Sequence, residues 1–502
     1  MSGIKKLAGQ TMWYGASSIA VKSIGYLLSP LLTYSAHVSM ADFGRQALLY
    51  STIPVASIIF TYGFETAYFR FSSKEEHKST IYSTAFFSIL CSTILLSTIL
   101  WFFKGSIGDL MGFQDVPEIM ILAILIIALD TLNKIPLVKL RQEERPLRYA
   151  FVNIFGVIVM ILIVVFFVYY CPSQVAKDPN SWVTSFYDNT KNPIVYVAFA
   201  NVIQSLITLL LLSKEVFSVK LTFNIKLWKE MMLYAMPLII VGLGGIVNET
   251  FDRIFLKLWL PGEPQERLVQ LGIYSANYKL SMLITLFVQA FKMGAEPFFF
   301  KQAEGVNAQK TYARVMKLFV ILLTVMFLAV SLFLPVWSLI NDVKYRVGLK
   351  IVPILLLANI FLGVYYNLSI WYKISNKTLA GTYITLIGTA VTIAINYTLI
   401  PRMGYMASAW ATFFCYGTMM ILSYKWGQKV YPVPYLAKKM ISYLVIVVCL
   451  FFIHYGISYL INYNLIASLA LGVLLFSFYI WFILLVEKKE FQKLPYLGKY
   501  IK

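Results

Sequence analysis

One apolar stretch, VNETFDRIFLKLWLP at 247–261, carries four charges: Glu249, Asp252, Arg253 and Lys257. A charge at bilayer depth costs roughly 2.5–3.5 kcal/mol on insertion scales, so such residues face a polar interior or one another. Glu249, Arg253 and Lys257 are spaced i, i+4, i+8 and share one helix face, with Asp252 beside them. Lys22 and Lys279 stand in other apolar runs, with no acid within a turn of either in the sequence. The pairs Asp130/Lys134 and Lys292/Glu296 recur at i, i+4, and Glu65 sits near the end of a further run. Lys22, Arg253, Lys279 and Lys292 are therefore candidate ligands for an anion, and the planar fork of an arginine suits a carboxylate or a phosphate. Glu65, Glu249, Asp252 and Glu296 are candidates for ion coupling, or for ion pairs that hold helices in register. For Asp130 and Lys134 the second role is the expected one.

Other chemistries are poorly served. His37, His77 and His454 are scattered, and Cys91, Cys171, Cys415 and Cys449 lie far apart, so neither a metal site nor a disulfide framework is expected. No G-x-x-x-x-G-K-[ST] loop occurs, so no nucleotide cofactor is expected and ATP is not the direct driver.

The elements that must position these charges are membrane spans. The chain has 502 residues, 59% of them hydrophobic and 16% aromatic, with a mean hydropathy of +0.73. That composition lies outside the soluble globular range. About 20 apolar residues cross a bilayer, and this length predicts an all-α integral membrane protein of about 14 transmembrane helices. The spans fall near 11–36, 43–70, 80–103, 117–139, 147–171, 193–213, 230–260, 271–300, 312–340, 347–373, 378–400, 404–426, 438–460 and 463–486. The formal charge of +20 does not point to nucleic acid, because the basic residues sit in short stretches between spans. They gather in alternate loops; the opposite loops hold only Lys104, Lys177, Lys191, Arg267, Lys344, Arg346, Lys350 and Arg402. By the positive-inside rule both termini are expected in the cytoplasm. Lys5 and Lys6 precede a long apolar run without a cleavage site, so the first span is expected to stay as an anchor. The loop 172–192 is too short to fold as a domain.

Two segments repeat. GFETAYFRF at 63–71 and GAEPFFFKQ at 294–302 align Gly63 with Gly294, Glu65 with Glu296, Phe69 with Phe300 and Arg70 with Lys301. Both spans also carry a glycine near their start, Gly44 and Gly272. Six spans separate the copies, so they run in the same direction, and the repeat is parallel about an axis along the membrane normal. This predicts two pseudo-symmetric six-helix lobes, 1–215 and 216–430, with 431–502 adding two C-terminal helices. Two lobes around a central site suit alternating access.

Several stretches resemble one family. SPLLTYSAHVSMADFG at 29–44 resembles the end of span 1 in polysaccharide flippases of the Wzx type. NETFDRIFLKLWLP followed by LGIYSANYKLS at 271–281 is similar to their "D-R … G-x-Y-x-x-A-x-K" passage. The segments 350–378 and 404–412 resemble the family's C-terminal half. Tyr34 departs from the arginine often found there, and no ligand role passes to it. The resemblance implies the fold of the multidrug/oligosaccharidyl-lipid/polysaccharide (MOP) exporters: two six-helix lobes and two extra helices, here at Lys438–Val486, as a groove for a polyprenyl tail. It implies a flippase, not an enzyme. The cargo would be a polyprenyl-diphosphate-linked oligosaccharide, moved from the cytoplasmic to the outer leaflet of a bacterial cytoplasmic (inner) membrane for O-antigen, lipopolysaccharide or capsule synthesis. Expected partners are that lipid-linked oligosaccharide, membrane lipids and glycan polymerase machinery. A lipid II flippase and a MATE-type drug or cation antiporter are the alternatives. The antiporter calls for acidic rather than basic lining, and a membrane glycan polymerase calls for an extramembrane domain.

Overall fold

A computed structural model of the chain describes residues 20–72, 80–302, 307–375 and 377–492, and no strand occurs among them. The first apolar run begins before this window; it is helical over 20–26 and again in α1 (Leu28–Thr33). The second span is a bent pair, α2 (Met40–Thr61) and α3 (Phe64–Ser72), with 45° between them. Then follow α4 (Ile81–Met111), α5 (Glu118–Gln142), α6 (Pro146–Val165), α7 (Pro193–Leu211), α8 (Ile225–Trp259) and α9 (Pro264–Gln302). The C-terminal half contributes α10 (Ala308–Ser331), α11 (Val352–Leu368), α12 (Thr378–Met403), α13 (Tyr405–Val430), α14 (Ala437–Leu460) and α15 (Leu465–Val486). Twelve helices among the described residues are long and apolar enough to cross a membrane, or 13 with the bent pair as one span. The chain is a multi-pass membrane protein.

Local chemistry sets the helix starts. Ser39 and Asp42 form a capping box that opens α2. Asn192 accepts from the Ile194 N–H ahead of Pro193 at the start of α7, and Asn224 accepts from two N–H groups of α8. Asn464 caps α15 in the same way. Each such cap satisfies a donor that the helix leaves unpaired, for about 1 kcal/mol.

The span expected over 43–70 breaks where Tyr62 (φ 35°) and Gly63 (φ 77°) both take the left-handed conformation. A Cβ at Gly63 would approach the Ala235 carbonyl oxygen to 3.2 Å, so glycine serves both the bend and the close passage of α8. Tyr62 is an unusual residue for that conformation. It is held by a 2.5 Å hydrogen bond between its hydroxyl and Ser88, and by edge contact with Phe64.

The helices form two compact units, Met1–Ala276 with Thr385–Ala411 and Asn277–Ile384 with Thr412–Lys502. In the first, α5 packs between α4 and α7, α7 against α6, and α2 along α8. The buried Arg45 ties loops to α2: it donates to Asp42 (2.9 Å) and Asp115 (3.1 Å), while Asn192 donates to Asp42 (2.5 Å). In the second, α10 packs against α11, α14 and α15, and α14 lies on α15.

Candidate functional site

Asp130 stands 12 residues into α5, about 18 Å along a helix rising 1.5 Å per residue, which is near the middle of a bilayer. Beside it the first unit holds a half-open cavity of about 560 Å³. The bent α2–α3 pair brings Ser57, Thr61 and Glu65; α5 brings Asp130, Asn133, Lys134 and Arg141; α6 and α7 bring Asn153 and Gln204. The i, i+4 spacing of Asp130 and Lys134 suggests a pair along one helix, but the structure joins neighbouring helices instead. Lys134 reaches across to Glu65, Nζ to Oε1 3.5 Å. Asp130 accepts a 2.6 Å hydrogen bond from the Ser205 hydroxyl of α7. The reason is packing: α3 and α7 both lie against α5, which brings Glu65 and Ser205 within reach of these two side chains.

The charged stretch of α8 is likewise organised by its neighbours. Arg253 donates to Asp252 Oδ1 (2.7 Å) and to the Glu249 carbonyl oxygen (3.1 Å). The fully buried Tyr274 of α9 donates its hydroxyl to the other oxygen of Asp252, and the Arg253 guanidinium lies 5.7 Å from the Tyr274 ring centre. Asp252 and Arg253 are thus largely sequestered, while the Glu249 side chain is exposed and within electrostatic reach of Lys22, itself exposed. Lys257 is buried, with its ammonium against Gly112 at the end of α4.

The remaining sequence candidates belong to the second unit. Lys279 is half-buried on α9. Lys292 is half-buried too, its ammonium 4.4 Å over the Tyr366 ring. The side chain of Glu296 lies outside the described residues.

The amides were the signal that a search for charges passes over. Asn133, Asn153 and Gln204 stand in apolar spans at bilayer depth, and all three line the cavity of the first unit. Intramembrane amides hydrogen-bond across helices or to a ligand; their clustering in three consecutive spans was readable from the sequence.

The motifs that carry the family resemblance also have structural work. Asp42 in SMADFG closes the cap of α2, and Gly44 meets Gly272 at a backbone crossing. Asp252 and Tyr274, from the "D-R" and "G-x-Y" passages, are bonded to each other.

Residues 7–303 match the model of a family described as polysaccharide biosynthesis protein. No curated protein matches the chain significantly. Among solved structures, the chain is similar to the lipid II flippase MurJ in an inward closed conformation, with 12% identity, 95% of this chain and 99% of that one covered, and a TM-score of 0.67. It is also similar to an inward-facing multidrug-resistance MATE family transporter of the MOP superfamily, with 12% identity, 84% and 94% coverage and a TM-score of 0.60. A third similar structure is the Vibrio cholerae MATE transporter VcmN, with 11% identity, 86% and 98% coverage and a TM-score of 0.56. At these identities the likeness is one of fold.

Proposed function

Since the chain belongs to the polysaccharide biosynthesis protein family, we propose that it is a flippase that moves a polyprenyl-diphosphate-linked oligosaccharide from the cytoplasmic to the outer leaflet of a bacterial cytoplasmic membrane. The observation that carries this reading is the combination of that sequence family with a fold also found in a lipid II flippase and in MATE family transporters. Transport, not bond chemistry, is the activity in this proposal, and the product is handed to glycan polymerase machinery on the outer side.

The physical problem is a diphosphate-sugar headgroup crossing about 30 Å of hydrocarbon while its tail stays in lipid. In this mechanism Lys22, Arg253, Lys279 and Lys292 replace water around the phosphates as the site is exposed first to one side and then to the other. The lobes that alternate are the two repeats, 1–215 and 216–430. Glu65, Glu249, Asp252 and Glu296 are the acids available for ion coupling; Glu65 and Asp252 are held in ion pairs, so a conformational change that parts them frees a carboxylate to take a proton. An inside-negative potential favours outward movement of an anion by about 2.3 kcal/mol per charge per 100 mV, or roughly 4–5 kcal/mol for two charges. Exposed apolar side chains on α14 and α15, among them Phe452, Leu460, Ile466 and Leu474, suit contact with a polyprenyl tail in 431–502.

The test is Lys22→Ala with Lys22→Arg beside it, in cells that depend on this protein for surface glycan. Lys22 is exposed, so its truncation leaves the packing intact. Surface glycan is expected to fall about tenfold or more with alanine, while lipid-linked precursor accumulates, and arginine restores most of it. Unchanged export at normal protein level rejects the anion-binding role of Lys22.

A further inference from the structure

The cavity of the first unit is built for a different ligand from a diphosphate. Its charged lining is balanced, Glu65 and Asp130 against Lys134 and Arg141, and Lys134 is already engaged by Glu65. No cationic surplus remains there to neutralise two phosphates. The amides offer something else. Asn133 is 3% exposed; its Nδ2 donates to the Ser205 carbonyl (2.9 Å), and its Oδ1 has no hydrogen-bond partner among the described residues. That oxygen has almost no accessible surface, so Asn133 ties α5 to α7, and the other two amides are the ones a ligand can reach. Asn153 donates to the Tyr149 carbonyl (2.7 Å) and keeps an acceptor oxygen, whereas Gln204 accepts from Asn201 (3.3 Å) and keeps an N–H donor. The lining thus offers both a donor and an acceptor to the space. A hydroxyl both donates and accepts, and a ring bearing several hydroxyls answers both kinds of group at once. At about 560 Å³ the cavity falls within the ~300–1,000 Å³ of small-molecule sites.

We propose that this cavity binds an uncharged sugar residue of the transported glycan, as a subsite separate from the cations that take the diphosphate. This rests on the flippase reading above and adds to it: the protein reads its cargo through hydroxyl hydrogen bonds to Asn153 and Gln204, and grips it through charge elsewhere. Selectivity for one glycan over another then resides in this cavity, while any polyprenyl diphosphate satisfies the cations.

The experiment uses the full-length protein in lipid nanodiscs with two probes. One is the free glycan, released by mild acid from the lipid-linked material that accumulates in cells lacking this protein. The other is polyprenyl diphosphate carrying no sugar. Asn153→Ala and Gln204→Ala are expected to weaken binding of the free glycan about tenfold, equivalent to about 1.4 kcal/mol, and to leave polyprenyl diphosphate binding unchanged. Lys22→Ala is expected to do the reverse. Asn153→Asp and Gln204→Glu, nearly isosteric, replace the alanine variants where those fail to fold. The subsite is overturned if the amide variants weaken both probes equally. It is also overturned if the intact lipid-linked glycan binds the wild type but the free glycan does not, and in that case the flippase reading survives. Should the bound glycan owe its affinity to a carboxylate, lost on esterification, the uncharged-sugar assignment fails. If neither probe nor the intact lipid-linked glycan binds the wild type, both readings fall together.

Discussion

Gly44→Ala is expected to abolish most of the folded protein, although it adds a single methyl group. A Cβ built on Gly44 falls well inside 3.0 Å of the Leu268 carbonyl oxygen, 2.9 Å from the Leu268 carbonyl carbon and 3.1 Å from the Gly272 backbone nitrogen. From the other side, a Cβ on Gly272 collides with the Met40 carbonyl oxygen and lies 3.3 Å from the Gly44 nitrogen. All of these are backbone atoms, so no side chain can rotate away; α2 and α9 must separate. Membrane helices associate mainly by close packing, which small residues at the crossing permit. Overpacking a core costs about 1–3 kcal/mol where side chains can yield, and more where they cannot, so about 3 kcal/mol or more is expected here. The crossing also sits beside the Asp42 cap and the buried Arg45 that joins α2 to Asp115, and prising the helices apart strains both. The measurement is the yield of monodisperse protein in detergent and its melting temperature. Gly105→Ala and Gly456→Ala are the controls, because a Cβ at either position meets nothing within 4 Å. Were Gly44→Ala to melt with those controls, the backbone crossing would be wrong.

That crossing also illustrates what the sequence can and cannot tell. Gly44 and Gly272 were each visible as a glycine near the start of a repeated span, but their contact was not, since no one-dimensional pattern says which helices cross. Spans were readable because hydrocarbon thickness sets their length: 193–213 is observed as Pro193–Leu211, and 438–460 as Ala437–Leu460. Ends were less readable where a helix outlasts its apolar run. The span expected to stop at 103 continues past Lys104 and Asp109 to Met111, because Gly112 (φ 75°) supplies the stop, not the charges. Over 312–340 the helix ends at Ser331, and the chain resumes as a separate turn, Leu334–Trp337, with Pro335 in its first turn. Around the cavity of the first unit, Glu65, Asp130 and Lys134 were legible as charges within spans but not in their pairings, and Lys22, Arg253, Lys279 and Lys292 do not line that cavity. Spacing along α5 couples Lys134 to Asp130, but the partner in space is Glu65, 69 positions earlier in the chain. The cavity amides were overlooked for a different reason: an uncharged polar side chain costs less in a membrane than a charge, so it stands out less.

Glu487→Ala is expected to detach the last two helices from the second unit. Glu487 lies just beyond α15 and is 3% exposed. Its carboxylate takes Lys317 of α10 at 2.8 Å, Lys439 of α14 at 2.7 Å and the Tyr443 hydroxyl of α14 at 2.5 Å. Removing it leaves Lys317, 5% exposed, with Glu490 at 3.7 Å as its one remaining acid among the described residues. Breaking a buried pair in this way costs about 3–5 kcal/mol, because the surviving charge stays desolvated. Lys439 contributes the smaller share, being more than a third exposed and therefore screened. Burial alone would raise the Glu487 carboxyl, but hydrogen bonds from Lys317, Lys439 and Tyr443 outweigh it and hold the group below its ordinary 4.5. A depressed carboxylate stabilises the fold fully above the unfolded value and loses that contribution as pH falls through the folded one. The wild type should therefore keep a constant advantage in melting temperature over Glu487→Gln above about pH 4.5, and the two should converge in more acid solution. Glu487→Gln retains an acceptor for Tyr443 and should melt between the wild type and Glu487→Ala. If α14 and α15 cradle a polyprenyl tail, glycan export should fail with Glu487→Ala in parallel with the loss of the lock. An alanine variant as stable as the wild type at neutral pH, or a gap to Glu487→Gln that persists in acid, would show that the carboxylate does not hold these helices in place.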